Sequence, residues 1–301
     1  MKILVTGGAG FIGSHLVDRL ISFKHQVVVL DDLSTGKKEQ VNPKAQFFKG
    51  DIKKVKDLEG LSGKIEAVFH LAARMRVQES FLKPVEYHKN NVDGTLNLLE
   101  WARARKIKRF IFASSCSVYG NAKKTSAGVS ESTPTNPLSP YASEKLIGEE
   151  LCRMYSNSLG LDTVVCRFFN VYGERMSAEG GYVGAITKFL NQVKVDESLS
   201  IWGDGEQVRD FIHVSDLTAA LLRLVGAKFK DQAITHLFNL GSGQATSVNR
   251  LADLIAGPKY HRKHLPAVQE PRWIKANLGA VTRAIKWAPR VRLEQGLEGL
   301  M

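Results

Sequence analysis

Three glycines near the start of the chain constrain its fold more than any other feature. Gly7, Gly10 and Gly13 follow the apolar run 3–5. The amphipathic stretch 11–21 begins directly after Gly10. This order predicts a strand, a tight turn and the start of a helix. The first gap is one residue longer than in the common Gly-x-Gly-x-x-Gly fingerprint. Backbone N–H groups at such a turn and helix N-terminus can bind a diphosphate, so the segment predicts a dinucleotide site.

An acidic pair supports the same interpretation. A second apolar run, 27–30, ends in Asp31 and Asp32. An acid at the end of the second strand, about twenty residues beyond the glycine turn, hydrogen-bonds the ribose hydroxyls of the dinucleotide. Because a carboxylate would repel a 2′-phosphate, NAD is favoured over NADP, although Lys37 and Lys38 could weaken that preference.

Composition narrows the class of protein. The chain has 301 residues, of which 44% are hydrophobic, enough for one large or two ordinary domains. It contains no apolar run of the length needed to span a membrane, and it begins directly with a strand pattern, so no signal peptide is expected. Cys116, Cys152 and Cys166 show no metal-ligand spacing and fit a reducing cytoplasm. A cytoplasmic protein without a metal site is therefore predicted.

The formal charge of +12 leaves several interpretations open. It could mark a nucleic-acid surface, serve an anionic small substrate, or simply be a solvated surface. The lysines occur in short scattered groups without interleaved aromatic residues or a basic tail. Nucleic-acid binding is therefore the less favoured alternative.

Strand and helix patterns alternate through the first part of the chain. Strands are predicted at 2–6, 26–31, 45–49, 67–71, 109–114 and 163–167, with long helices at 85–105 and 141–159. Alternation of this kind indicates an α/β fold with a doubly wound parallel sheet of the Rossmann type. We expect an NAD-binding domain over residues 1–167 and a smaller substrate domain over 168–301. Strands near 210–214 and 236–240 could return to the main sheet.

A tyrosine and a lysine form the strongest candidate for chemistry. Tyr141 and Lys145 are four residues apart and share one face of the predicted helix. A neighbouring ammonium favours the phenolate, and bringing the phenol from its usual pKa to neutrality takes about 4 kcal/mol. Lys145 together with a nicotinamide cation could supply this in a dry site. The alternative is an ordinary surface pair, but the glycine turn upstream favours a catalytic role.

Taken together, the motifs resemble the extended short-chain dehydrogenase/reductases, and within them the nucleotide-sugar epimerases of the UDP-glucose 4-epimerase type. The matching segments cover nearly the whole chain: 5–14, 31–36, 50–52, 68–73, 91–95, 114–120, 141–145, 167–173, 203–214 and 238–243.

The resemblance implies a set of cofactor contacts. For NAD it implies Gly7, Gly10, Phe11, Ile12, Gly13, Asp31, Asp32, Asp51, Ile52, Leu71, Ala72, Ala73, Asn91, Ser114, Tyr141, Lys145 and Phe168. Within this set, Asp51 and Ile52 would flank the adenine.

The same resemblance implies the catalytic and substrate contacts. Tyr141 would be the acid/base, Lys145 its activator, and Ser115 the partner of a sugar hydroxyl. The substrate contacts would be Ser115, Cys116, Tyr141, Asn170 and Arg209. The last two would hold the diphosphate, a role that suits an amide and a guanidinium. The alternative for Arg209 is an ion pair with Asp204 or Asp210.

The reaction that these residues support is 4-epimerisation of a UDP-hexose. Tyr141 would take the proton of the 4-hydroxyl, a hydride would pass to NAD, and the 4-keto sugar would turn before the hydride returns. Related dehydratases carry an Asp-Glu pair, and related decarboxylases a Glu, where this chain has Cys116 and Ser117. A reductase, dehydratase or decarboxylase of nucleotide sugars remains the alternative, with a non-catalytic nucleic-acid-binding protein on the same fold more remote.

Two further expectations come from the family pattern. An arginine that binds nucleotide phosphate is replaced here by Ala267 or Val268, so the nucleotide contacts stay open. The helices at 85–105 and 141–159 carry apolar residues beyond what one sheet face needs, which in the family indicates a homodimer. His70, a lone histidine at a strand end, is interpreted as structural.

Overall fold

The computed structural model describes residues 1–176, 184–229, 236–268 and 270–301. The strands are β1 (Lys2–Thr6), β2 (Gln26–Asp31), β3 (Gln46–Lys49), β4 (Ala67–His70), β5 (Arg109–Ser115), β6 (Thr163–Phe168), β7 (Asn170–Tyr172), β8 (Leu199–Trp202), β9 (Val208–Arg209), β10 (Phe211–His213), β11 (His236–Leu240), β12 (Thr246–Ser247) and β13 (Arg262–Leu265). The α-helices are α1 (Phe11–Ser22), α2 (Val55–Glu59), α3 (Val77–Leu82), α4 (Pro84–His88), α5 (Gly94–Ala104), α6 (Pro140–Leu159), α7 (Ala185–Lys194), α8 (Val214–Gly226), α9 (Val248–Ala256), α10 (Gly279–Ile285) and α11 (Leu293–Glu298).

Seven of the described strands form one parallel sheet, in the order β3-β2-β1-β4-β5-β6-β11. This confirms the predicted doubly wound α/β fold, because the order runs outward in both directions from β1 and β4. The strand at 236–240 does return to the main sheet, where it pairs with β6. The strand at 211–213 does not, since β10 pairs with β7 in a separate two-stranded sheet.

Apolar residues cover both faces of this sheet. On one face, Ile3 and Val5 pack with residues of α1 and α8, including Leu16 and Leu221. On the other face, Leu4 packs with residues of α5 and α6. Side chains alternate between the faces of a strand, so an uninterrupted apolar run is what a strand buried on both faces needs.

A third apolar core lies in the C-terminal part of the chain. It joins α7, α9, α11 and β8 through Ile186, Phe189, Leu199, Leu251 and Leu297. The glycine-rich sequence 173–184 predicts a loop, of which residues 177–183 lie outside the described residues. In the described ranges, no helix has the length and apolar character needed to cross a membrane.

The predicted helix over 85–105 is interrupted. Between α4 and α5, residues Lys89–Asp93 form a π-helical turn. Asn90 and Asn91 are buried within it, and π-turns often occur at functional sites. The side-chain amide of Asn91 in this turn hydrogen-bonds with the backbone of Arg74 in the loop after β4.

Candidate active site

The glycine turn has the geometry of an anion cradle. Gly7 has a φ of +73°, a left-handed conformation that favours glycine, and its N–H donates to Leu30 O over 2.9 Å. A Cβ on Gly13 would lie 2.0 Å from Gly7 O, so the helix packs directly on the turn. Among the described residues, no side chain caps the start of α1 and no acidic residue stands in its first turn. A pyrophosphate fits this helix N-terminus.

Asp31 holds the turn against the end of β2. Its Oδ2 accepts from Ala9 N over 2.9 Å and its Oδ1 from Leu33 N over 2.8 Å. Burial raises the pKa of this carboxyl group. An ionised carboxylate offers about four acceptor sites, so Asp31 retains capacity for ribose hydroxyls.

The other predicted contacts of the adenosine end have local partners. Asp32 accepts from Ser34 N over 2.8 Å. Asp51, beyond the end of β3, accepts from Lys53 N and pairs with Lys53 Nζ at 3.4 Å. Ile52 is buried beside it. Their contacts with the cofactor stay predictions.

The loop after β4 lies against the glycine turn. A Cβ built on Gly7 would stand 2.7 Å from Ala72 N, and Leu71 N donates to Thr6 O over 3.1 Å. Leu71, Ala72 and Ala73 are all partly exposed. The structure therefore brings two predicted cofactor segments into contact.

His70 bridges two hydroxyls beneath this loop. Its Nδ1 lies 2.8 Å from Thr6 Oγ1 and its Nε2 lies 2.9 Å from Thr95 Oγ1. Thr95 donates its own proton to Asn91 O, so it accepts from Nε2, and Nδ1 accepts from Thr6. Burial, and then the charge of Lys145, lower the pKa of His70 to about 3. This is a neutral, bridging histidine.

The three predicted catalytic side chains converge where β5 ends and α6 begins. Ser115 closes β5, and Tyr141 and Lys145 occupy the start of α6, whose cap Ser139 accepts from Ala142 N over 3.2 Å. Lys145 Nζ lies 5.9 Å from the centroid of the Tyr141 ring and donates to Ala113 O over 2.8 Å.

The electrostatics of this group differ from the sequence expectation. Burial raises the pKa of Tyr141 to about 12, against the effect of a hydrogen bond with Ser115. Burial also lowers the pKa of Lys145 to about 8. In the chain alone, burial of the phenol outweighs the charge of Lys145, and the prediction that Lys145 together with a nicotinamide cation favours the phenolate stays a prediction. Desolvation of the phenol dominates, and the ammonium directs a hydrogen bond to a backbone carbonyl.

Two predicted cofactor contacts, Ser114 and Phe168, interact with other parts of the chain. The hydroxyl of Ser114 donates to Glu149, which forms a buried bidentate pair with Arg167 at 2.9 and 2.6 Å. The hydroxyl proton of Ser114 is therefore engaged, and its oxygen can contact a dinucleotide only as an acceptor. Phe168 is buried in the core beside α8. Sequence reasoning missed the Glu149–Arg167 pair, although Glu149 follows Lys145 by one helical turn.

Cys116 is a poor candidate for a nucleophile. Burial raises the pKa of its thiol to about 12, so the thiol stays protonated at neutral pH, and the thiolate is the reactive form. Its predicted contact with the substrate stays a prediction.

The predicted diphosphate contacts lie on β7 and β9. Asn170 Nδ2 donates to Asp210 O over 3.2 Å. Arg209 pairs with Glu270, Nη2 to Oε2 at 2.7 Å, and its Nη1 donates to Pro271 O. The alternative partners considered for Arg209 are engaged elsewhere: Asp204 pairs with Arg272, and Asp210 accepts from Ser242, Gly243 and Ala276.

Comparisons with known proteins identify the family to which this chain is similar. The model of the NAD dependent epimerase/dehydratase family matches residues 3–241. A UDP-glucose 4-epimerase of Mycolicibacterium smegmatis is 37% identical, over 99% of this chain and 96% of its own. The crystal structure of the Thermotoga maritima UDP-glucose 4-epimerase with UDP-glucose has a TM-score of 0.93 at 35% identity, covering 99% and 97%. UDP-glucuronic acid decarboxylase 1 of Danio rerio is 32% identical, over 98% and 71%.

NAD, the cofactor of the matched family, fits the residues present. The left-handed Gly7, the close approach of Gly13 to Gly7 O and the uncapped start of α1 leave space and donors for a pyrophosphate. Asp31 stands at the end of the adjacent strand with acceptor capacity for a ribose.

Proposed function

We propose that this chain, which belongs to the NAD-dependent epimerase/dehydratase family, is a 4-epimerase of UDP-hexoses that acts through a 4-keto sugar. One observation carries the proposal. Ser115, Tyr141 and Lys145 converge, and the residues after Ser115 are Cys116 and Ser117 rather than carboxylates. The site thus offers one acid/base group, which is what reversible oxidation at a single carbon requires.

Each residue has a defined task in this reaction. Tyr141 Oη receives the proton of the sugar 4-hydroxyl and later returns it, while Ser115 hydrogen-bonds the same hydroxyl. Lys145 stabilises the negative phenolate oxygen electrostatically. NAD, when bound, supplies reversible hydride transfer. Because the phenol of the chain alone has a raised pKa, its ionisation depends on positive charge brought to the site with the cofactor.

The substrate diphosphate is assigned to Asn170 and Arg209. Both lie on short strands outside the main sheet, beyond its carboxyl edge. Anchoring the nucleotide there leaves the hexose as the moving part, so that either face of the 4-keto sugar can meet the hydride donor. Binding energy from the remote nucleotide then holds the reacting carbon in place.

A decarboxylase or dehydratase of nucleotide sugars is the second candidate, because the matched relatives include a UDP-glucuronic acid decarboxylase. Those reactions need further proton transfers near the sugar C5. Cys116, with its raised pKa, and Ser117 do not supply an acid or base for this at neutral pH.

A homodimer is part of the proposal. Large apolar side chains are exposed along α4, α5 and α6, namely Val85, Leu96, Ile147 and Met154. Next to them, an open groove is lined by Pro137, Leu146, Ile147, Leu151 and Met154 among others. Contiguous apolar surface of this kind is typical of a protein interface, and a second copy presenting the same helices would cover it.

The deciding experiment is incubation of the purified protein with separate UDP-sugars, without added cofactor, followed by NMR of the anomeric protons. We expect interconversion of 4-epimers, with UDP-glucose and UDP-galactose as the first pair tested. Formation of a pentose from UDP-glucuronate would support the second candidate instead. A strict need for stoichiometric NADH would indicate a reductase, and steeply salt-dependent RNA binding without turnover would indicate the nucleic-acid alternative.

A further inference from the structure

Glu144 is a buried carboxylate beside the catalytic pair for which the proposed reaction has no task. It directly precedes Lys145 on α6 and follows Tyr141 by three residues. The residue is 4% exposed. Glutamate is rarely buried to this extent without a partner, so the partner of its side chain is informative.

That partner is Asn91, whose Nδ2 donates to Glu144 Oε2 over 2.8 Å. The same amide also hydrogen-bonds with the backbone of Arg74 in the loop after β4. Asn91 Oδ1 accepts from Arg74 N over 2.8 Å, and Nδ2 also donates to Arg74 O over 2.9 Å. Both donor positions of the amide nitrogen are thus used: the Arg74 backbone sets which way the amide faces, and the second N–H links Asn91 to Glu144. The catalytic helix is thereby tied to the loop that backs the glycine turn.

The hydrogen bonds continue toward the start of the chain. Thr95 donates to Asn91 O, and His70 links Thr95 to Thr6 at the end of β1. The glycine turn begins directly after Thr6. Within the part of the chain that the structure describes, Glu144 is the only charged side chain that takes part in this hydrogen-bonded series, since Arg74 takes part through its backbone.

The charge of Glu144 also acts on both catalytic side chains. After burial, which lowers the pKa of Lys145, Glu144 has the largest effect and raises it. Glu144 also contributes to the raised pKa of Tyr141. Its own pKa is raised by burial, while Asn91, then His88 and Lys145, favour the ionised form.

The other titratable groups around Lys145 are accounted for. On its own helix, Glu149 is paired with the guanidinium of Arg167 from β6, and Cys152 is a buried thiol. His88 on α4 faces Glu144, and His70 on β4 is neutral. Because the charge of Arg167 compensates that of Glu149, Glu144 is the carboxylate whose removal changes the charge balance around Lys145 most.

We propose that Glu144 is a positioning residue: its carboxylate holds Asn91, and through it the Arg74 backbone, against the catalytic helix and maintains the charged state of Lys145 beside Tyr141. The second half of this statement rests on the proposed function, which gives Tyr141 and Lys145 their roles. The first half concerns the chain alone.

The test is Glu144→Gln, which can still accept from Asn91 but carries no charge. With [ε-¹³C]lysine and assignment by Lys145→Arg, we expect the titration midpoint of Lys145 in the NAD-supplied protein to fall by about one pH unit. Both limbs of the pH profile of kcat should move in the same, acidic direction, since both the phenol and the ammonium lose protons more easily. A purely structural role would lower the rate without moving either readout.

Glu144→Asp is the complementary variant, because it keeps the charge and shortens the reach. We expect its Lys145 midpoint to stay near that of the unsubstituted protein, while hydrogen exchange at Arg74 N–H becomes faster. Glu59→Gln removes an exposed carboxylate on α2 and should leave both readouts unchanged. An unshifted Lys145 in folded Glu144→Gln, an equal shift in Glu59→Gln, or unchanged exchange at Arg74 in Glu144→Asp would each overturn the proposal.

The NMR and exchange measurements need no turnover. If the UDP-sugar panel shows no epimerisation but the Lys145 midpoint shifts as expected, the proposed function fails and the role of Glu144 stands. If epimerisation occurs but the Lys145 midpoint does not shift, the proposed function stands and the role of Glu144 fails.

Discussion

Arg209 Nη2 lies 2.7 Å from Glu270 Oε2, so the guanidinium assigned to the substrate diphosphate is already paired with a carboxylate. Both side chains are largely buried, at 13% and 24% exposure. A phosphate that binds here must share Arg209 with Glu270 or take its place. Glu270 also accepts from Gln207 at 3.3 Å, which gives the carboxylate a second donor near the same position.

Replacing Arg209 should therefore weaken nucleotide binding. A hydrogen bond to a charged group contributes about 1.5–3 kcal/mol, so Arg209→Gln should raise the Kd of UDP about 10- to 150-fold by calorimetry. Glu270→Gln removes the competing anion and should bind UDP at least as tightly as the original chain. Weaker binding by Glu270→Gln would instead mean that Glu270 contacts the nucleotide itself.

Removing the phenol oxygen should greatly slow turnover with little effect on cofactor binding. We expect Tyr141→Phe to lose about 10²- to 10⁴-fold in kcat, the usual contribution of a positioned acid/base. Bound NAD, measured by its absorbance after denaturation, should be nearly unchanged. Tyr260→Phe, in a tyrosine that neighbours Asp196 in the C-terminal part, is the matched control. Full activity in Tyr141→Phe would refute the assigned role.

A methyl group at Gly13 should disrupt the cofactor cradle. The added Cβ would lie 2.0 Å from Gly7 O, a backbone atom that cannot rotate away. Overpacking of this kind costs about 1–3 kcal/mol, so Gly13→Ala should unfold at lower urea concentration and retain less NAD. Gly226→Ala, at the last residue of α8, where a new Cβ meets no described heavy atom within 4 Å beyond its chain neighbours and its own helix backbone, should lower neither property. Equal behaviour of the two variants would contradict the proposed cradle.

The buried His70 should make stability depend on pH in the acidic range. Its pKa is lowered to about 3 in the folded chain, whereas an unfolded histidine titrates near 6.5. Between these values the unfolded chain binds the additional proton, so stability falls as the pH falls. At about pH 5 the loss relative to about pH 7 should be about 2 kcal/mol.

Urea unfolding of the original chain and of His70→Gln at both pH values isolates this contribution. The variant starts from a lower stability, because it changes the bridge between Thr6 and Thr95, but it should lose about 2 kcal/mol less on acidification. An identical pH dependence in both proteins would show that His70 is not the titrating group.

A charge on the apolar face of α6 should separate the proposed dimer. Ile147 is 39% exposed and lines the groove beside α4. Ile147→Glu would bury an unpaired carboxylate if this face is an interface, and light scattering should then report the mass of one chain. Phe23→Glu, at the 59% exposed Phe23 after α1, should keep the mass of two. A dimer in both variants would place the interface elsewhere.

Local sequence patterns predicted the sheet well because its strands are buried on both faces. The apolar runs 3–5 and 27–30 lie within β1 and β2, since a strand covered on both sides favours apolar residues at successive positions. Parallel topology then placed the glycine turn, Ser115 and the start of α6 together, as the carboxyl ends of parallel strands share one edge.

Contacts between distant residues were not predictable in the same way. Asn91 and Glu144 are 53 positions apart, and Arg209 meets Glu270 across a comparable separation. The helical spacing of Tyr141 and Lys145 predicted a shared face. It could not indicate that Lys145 Nζ would bond to Ala113 O, or that burial would raise the pKa of the phenol.

The pairing of β11 with β6 has a consequence for truncated forms of the chain. A fragment ending near residue 167 would contain the glycine turn and the catalytic helix, yet Val164 and Cys166 would lie on an open sheet edge where β11 now pairs. Exposed, long, apolar edges promote intermolecular pairing. Such a fragment is expected to aggregate rather than fold, and synthesis must proceed past Leu240 before the sheet can close.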